Sequence, residues 1–368
     1  VNKMLNNEVP KIEVISEPIL QTKEPDGLAG RVAVIADIGI ESDEIFTGDN
    51  YKSFIANLPT EVDKTKADFK AIEKMFIQKN DSRGVTFLEV VPIKTYDLTN
   101  FGKCLDKLET EDFDILVIPT PIKYEKTEDI NDTWLELLKS WLQARYTNKS
   151  GVGVVFGLEE SSTSGESIVE RMVKLAGQRG VYGVFFQPIN GWSLNETIGF
   201  MSGTIAGRKL NKSLTHKVVK GINSITDSEG NNKEVIFNSK DSIGYKYMNS
   251  GVTVLRPFNR RNGEFGVLRS NCPSGYDLAI ERSADYMTRQ FQLVDYLGDS
   301  NSVTTLDAIA GEVNSRIFTF TNTLNLCNNI ETSIQKINHH TVEIDIKYIF
   351  DGIIDYIKVY IAIEESNE

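Results

Sequence analysis

At 368 residues, with 40% apolar and 25% charged side chains, the chain is long enough for about two or three packed units and has the composition of an ordered globular protein, not a disordered one. A net charge of −12 repels phosphate backbones, and the Arg260-Arg261 pair is too short to offset it, so no nucleic-acid partner is expected. No window approaches the roughly 18 consecutive apolar residues of a membrane span, so no membrane insertion is expected either.

The opening residues, Val1 to Pro10, are polar and show no signal-peptide core. Three scattered cysteines (Cys104, Cys272, Cys327) without a CxxC pair fit thiols of a reducing cytoplasm. Residues 1–25 carry Pro10, Pro18 and Pro25 around Ile12, Val14 and Ile15, which reads as an extended arm holding one strand, because proline breaks helices and removes ladder donors. The run Val32-Ala33-Val34-Ile35-Ala36 predicts a buried strand. Helical spacing of Phe69, Ile72, Met75 and Phe76 predicts a helix over 64–79. Strands are expected at 85–91, at 113–119 (ending on Pro119), at 153–156 and at 182–187. Helices are expected at 102–108, 132–144 and 166–176. Strands alternating with helices of this length indicate an α/β body with a mostly parallel sheet, assigned to residues 26–220.

Beyond Thr215 the character changes. The turn-rich stretch around Asp227-Ser228-Glu229-Gly230-Asn231-Asn232 predicts a long loop over 221–250. A hairpin is expected from 251–255 and 266–268, and helices near 281–297 and 303–336. Residues 221–353 are therefore expected to form an α+β C-terminal domain, and residues 354–368 a terminal arm. Two stretches at this end alternate with period 2. Val342, Ile344, Ile346 and Tyr348 form one apolar face; Ile357, Val359, Ile361 and Ile363 form another. The pair is either a local hairpin or a strand and acceptor that join neighbouring copies.

Little in the sequence demands catalysis. The loop Gly157–Gly165 lacks the lysine and glycine spacing of a phosphate loop and carries Glu159-Glu160. The three histidines lie away from any Gly-x-Ser-x-Gly elbow, and no ligand spacing predicts a metal. No enzyme activity, cofactor or metal is expected. The rival expectation is an α/β enzyme or ligand-binding protein with its site at strand ends near Pro119 or Gly157.

The segment Gly199–Thr215 is the most distinctive. Small residues Gly199, Ser202, Gly203 and Ala206 cluster on a predicted helix, although glycine there costs about 1 kcal/mol relative to alanine. Close backbone packing is the expected compensation. This stretch resembles the contractile-tail sheath family, whose members carry a helix reading A-G-x-I-A-G-T-P-L-x-x-S-x-T. Gly203, Ile205, Ala206, Gly207, Leu210, Ser213 and Thr215 fall at the family spacing, and Arg208-Lys209 replaces the usual Thr-Pro.

That resemblance implies a structural subunit of a homo-oligomer, in six-fold rings or a helical sheath, around an inner tail tube. It implies baseplate and tail-terminator partners, assembly in the cytoplasm and residence in a virion tail or injection particle. The strands at Ile12–Ile15 and Ile357–Ile363 would be donated to neighbours, with Val342–Tyr348 as acceptor. Lys336, His339 and His340 are tube-facing candidates by position. Another tail-tube or baseplate component is the second rival, disfavoured by the body helices.

Overall fold

The computed structural model describes residues 30–77, 85–122, 133–147, 151–159, 168–237, 239, 241–259, 262–291, 303–338 and 341–350. The arm residues Ile12, Val14, Ile15, Ile357, Val359, Ile361 and Ile363, with His339 and His340, lie outside them.

An uninterrupted apolar run has no face to offer water, so it belongs in a sheet covered on both sides. Strand β1 (Arg31–Ala36) is the centre of such a sheet. The others are β2 (Phe46–Gly48), β3 (Phe87–Pro92), β4 (Ile115–Ile122), β5 (Gly153–Leu158) and β6 (Val181–Phe185), in the order β2-β3-β1-β4-β5-β6. All pair in parallel except β2, which lies antiparallel on β3. Val32, Val34 and Ala36 enter a core on one face; Ala33 and Ile35 enter a second core on the other. Helices α2 (Ala67–Met75) and α6 (Leu194–Ala206) cover the first face. Helices α3 (Leu98–Lys107), α4 (Thr133–Thr147) and α5 (Ile168–Val173) cover the second. This is a mixed α/β fold with a parallel-dominated sheet.

Strand β4 does not stop at Pro119, as its sequence suggests. It runs on to Ile122. Pairing with β5 breaks between Ile118 and Ile122, where the proline has no N–H to donate, and resumes at Ile122 opposite Leu158. The expected long loop over 221–250 contains a helix, α7 (Ile243–Asn249), whose Tyr247 is buried in the second core. A three-stranded antiparallel sheet follows the body: β7 (Lys217–Val218), β9 (Glu264–Arg269) and β8 (Val254–Asn259), in that order. Its Leu255, Phe265 and Val267 complete the first core.

The largest correction concerns 303–336. Helix α9 spans only Val303–Phe318, and a π turn follows at Thr319–Thr323. Strand β10 (Asn329–Asn338) then pairs antiparallel with β11 (Thr341–Ile349). With α8 (Leu278–Gln290), these elements enclose a third core of Leu210, Tyr286, Met287, Phe291, Ile309, Val313, Phe320, Ile330, Ile344 and Ile346.

Candidate assembly interface

The 203–215 motif is the joint between the body and the third core. Gly203, Ile205 and Ala206 lie on α6, buried against the body, and Gly207 caps that helix. A side chain at Gly199 or Gly203 would place its Cβ 2.0 Å from the Ala71 carbonyl oxygen or 2.2 Å from that of Met75. The two glycines, one turn apart, let α6 lie directly on the α2 backbone. Three residues beyond the cap, Leu210 is buried in the third core. Where the family pattern has Thr-Pro, Arg208 closes the turn by donating from Nε to the Lys212 carbonyl at 2.9 Å and from Nη2 to that of Ser213 at 2.7 Å.

Ser213 and Thr215 hold the start of α8. Both hydroxyls lie 2.7 Å from Asp277 Oδ2, and the Ser270 hydroxyl lies 3.0 Å from it. Asp277 Oδ1 accepts from the Ala279 N–H at 2.8 Å as the helix N-cap. Asn211 donates to the Leu324 and Asn325 carbonyls at 3.2 and 3.0 Å, fixing the loop that leads into β10.

Helix α8 carries the second connection. Its Tyr286 and Met287 face the third core, while Glu281, Asp285 and Arg289, spaced i, i+4, i+8, lie on one stripe against the N-terminal ends of the parallel strands. Glu281 accepts from the Gly180 N–H at 3.3 Å and from the Ser274 hydroxyl. Asp285 accepts from Tyr146 at 2.6 Å, Tyr182 at 2.8 Å and Arg179 at 2.7 Å. Arg289 pairs with Asp114 and donates to the Phe113 carbonyl at 3.4 Å. Burial and the Asp285 charge keep both phenols protonated, and burial lowers Arg289 to about 10, still cationic near neutrality. A dry interface would tolerate sliding; these directional bonds fix one register between α8 and the sheet.

Burial, and then the Asp285 charge, push the Glu281 carboxyl up to about 7 from 4.5. Between those values the folded chain keeps a proton that the unfolded chain has released. Stability from this site is therefore fully present below about pH 4.5 and lost as pH rises through about 7, by on the order of 3 kcal/mol. Glu281→Gln, which keeps an acceptor for Gly180, should flatten the denaturation midpoint between pH 5 and 8. A midpoint profile matching the parent chain would remove Glu281 as its source.

The β10–β11 hairpin stands on the third core. Ile330, Ile344 and Ile346 are buried, whereas Ile334, Val342 and Tyr348 are half-buried, so the inward face is covered most fully near the base. Among the described residues no other strand pairs with either edge. Two-stranded sheets are marginal in water, and open edges present unpaired N–H and C=O groups. Lys336 is exposed on β10 near the tip. The exposed Lys347–Glu331 pair, at 2.9 Å, adds little.

The strand ends named as a rival site hold side chains of the protein itself. Asp68, buried on α2, accepts from the Asp37 N–H at 2.8 Å, from the Thr120 hydroxyl at 2.8 Å and from Asn195 at 2.7 Å, across the switch point between β1 and β4. The buried Arg171 donates to the Ile122 carbonyl at 3.1 Å and the Glu159 carbonyl at 3.5 Å, tying the ends of β4 and β5. Ile198 of α6 packs against Gly157. Sequence reasoning missed Arg179, Asp285 and Arg289 because their partners lie over 100 residues away; the i, i+4, i+8 charge spacing was the available signal.

An α/β body, a small-residue joint and a two-stranded hairpin on a third core together make up the fold. Solved sheath tail proteins have this fold. The one from Desulfitobacterium hafniense superposes with a TM-score of 0.59 at 9% identity, covering 90% of this chain and 99% of its own. The one from Listeria innocua gives 0.57 at 10% identity, covering 88% and 96%. No protein-family model matches the chain, and no curated protein matches it. The resemblance read from the 203–215 motif thus holds at the level of the fold.

Proposed function

We propose that this chain is the structural subunit of a contractile tail sheath, polymerising around an inner tube and driving it through a target envelope by rearrangement of subunits. The observation that carries this reading is a fold shared with two sheath tail proteins along nearly the whole of each chain. Residues 26–220 act as the body and 221–353 as the tube-facing part, with Lys336, His339 and His340 toward the tube. The arms 1–25 and 354–368 add strands to neighbouring copies, through Ile12, Val14 and Ile15 and through Ile357, Val359, Ile361 and Ile363. The acceptor is the hairpin bearing Val342, Ile344, Ile346 and Tyr348, and the lack of any third strand on it among the described residues supports this role. Strand addition supplies backbone pairing and side-chain pockets together.

Energetics favour a lattice over a stable pair. Burying four aliphatics yields roughly 1.5–3 kcal/mol each, and ordering an arm costs roughly 1–2 kcal/mol per residue. One arm alone is marginal; several engaged at once gain from effective concentration. Contraction then draws on the difference between two packings of the same subunits. Assembly takes place in the cytoplasm, with tube, baseplate and tail-terminator proteins as partners, and the product is a virion tail or injection particle.

Negative-stain microscopy of the full chain should show rings or striated tubes. Chains lacking 1–25 or 355–368 should remain folded by circular dichroism and form none. Normal tubes from both truncations would sink the arm mechanism.

A further inference from the structure

At the base of the hairpin, where β10 begins and β11 ends, a groove of about 370 Å³ is lined by Asn211, Ser283, Thr321, Asn325, Asn328 and Phe350, among others. A second hollow of about 270 Å³ shares Asn211 and Asn325 and adds Lys209 and Lys212. Ser283 also lines the first hollow, with its hydroxyl sealed beneath the surface. Lys209 and Lys212 are exposed, and neither forms an ion pair among the described residues. Asparagines at one end with two ammonium groups at the other suit an acidic peptide in extended form.

The chain contains one such segment beyond Phe350: Glu364-Glu365-Ser366-Asn367-Glu368, directly after the apolar stretch Ile357–Ile363. We propose that the groove receives Glu364–Glu368 of a neighbouring copy, its carboxylates meeting Lys209 and Lys212. The inference deepens the strand-exchange reading above and rests on it.

Direction and reach select the neighbour. Strand β10 runs from base to tip, so a strand added antiparallel to its open edge runs from tip to base and delivers residues 364–368 to the groove. The chain's own β11 ends at the base. To place residue 356 at the tip, it would have to cross the length of β10, about 30 Å. The six steps from Phe350 to Tyr356 span at most about 20 Å. The same copy cannot supply this strand. It can supply only one running back along β11, which would carry the acidic residues to the tip.

The test is a charge swap in the full chain. Two variants, K209E/K212E and E364K/E365K, should each lower the polymer yield about tenfold and make it rise with added salt, since each juxtaposes like charges. Mixed in equal amounts they should co-assemble, because every groove then finds a complementary tail on the other variant. Failure of the mixture alongside recovery by the quadruple variant would show pairing within one copy and overturn the proposal; parent-like polymers from either variant would do the same. A fluorescent Tyr356–Glu368 peptide gives a readout that needs no polymer. It should bind E364K/E365K about tenfold more tightly than the quadruple variant, and equal binding, or none to either, would overturn the groove assignment. A parent chain that never polymerises would sink the sheath reading, while the peptide measurement would still decide the groove.

Discussion

A chain carrying Gly199→Val and Gly203→Val together will fail to form its body and will be recovered aggregated. The obstructing atoms are the Ala71 and Met75 carbonyl oxygens, 2.0 and 2.2 Å from the new Cβ positions, and both belong to the backbone of α2. No rotamer change relieves such a clash; the helices must separate. Separation strips contact from Phe69, Ile72, Met75, Ile198, Met201 and Ile205, all of which are buried in the first core. Overpacking at one site costs typically about 1–3 kcal/mol and more where only backbone can yield, so two on one helix interface consume much of the roughly 5–15 kcal/mol that holds a domain folded. Single Gly→Ala substitutions should already lower the thermal midpoint by several degrees, against the gain expected from helix propensity alone. A soluble double variant with a cooperative, parent-like melt would refute the backbone-on-backbone packing.

Asp285→Ala should cost about 3–5 kcal/mol in denaturant unfolding at neutral pH, because it removes the shared acceptor of two buried phenols and the carboxylate that pairs with Arg179. Burial raises the Asp285 carboxyl, and Arg179 and the two hydroxyls pull against it. Asp285→Asn keeps one acceptor oxygen and should lose about half as much. Amide exchange should localise the defect in D285A to α8 and to residues 146–147 and 179–182, where the helix meets the sheet. A D285A midpoint within about 1 kcal/mol of the parent would mean that the polar stripe does not hold α8 in register.

Both expectations concern how the hairpin is carried by the body, and they differ in how far the sequence announced them. The glycine cluster was visible as a cost without a local benefit, so close packing followed from the residues, although the partner helix did not. Nothing near Asp285 in sequence names Tyr146, Tyr182 or Arg179. The buried runs of β1 and of β4 up to Pro119, the amphipathic spacing of α2 and α4 and the period-2 run of β11 all appear where the pattern puts them. Short elements such as β2 and α1 (Tyr51–Asn57) were missed because they offer too few residues for a period to show.

Residues 329–338 show where local pattern ends. Ile330, Ile334 and Ile337 recur at helical spacing, and the segment reads as a continuation of α9. As β10 it places Ile330, Thr332, Ile334 and Lys336 on one face, opposite Tyr348, Ile346, Ile344 and Val342. A face that includes Thr332 and Lys336 has no clean period-2 signature, and only the partner strand and the third core beneath it select the extended form. By itself the sequence determined the α/β body, the tight helix at 199–206 and the half-buried strand at 341–349, because burial on fixed faces imposes a period on the side chains. The tertiary structure alone decided β10, the passage of β4 through Pro119 and the polar seam along α8. In each of these the deciding free energy comes from groups distant in the chain, which no local period records.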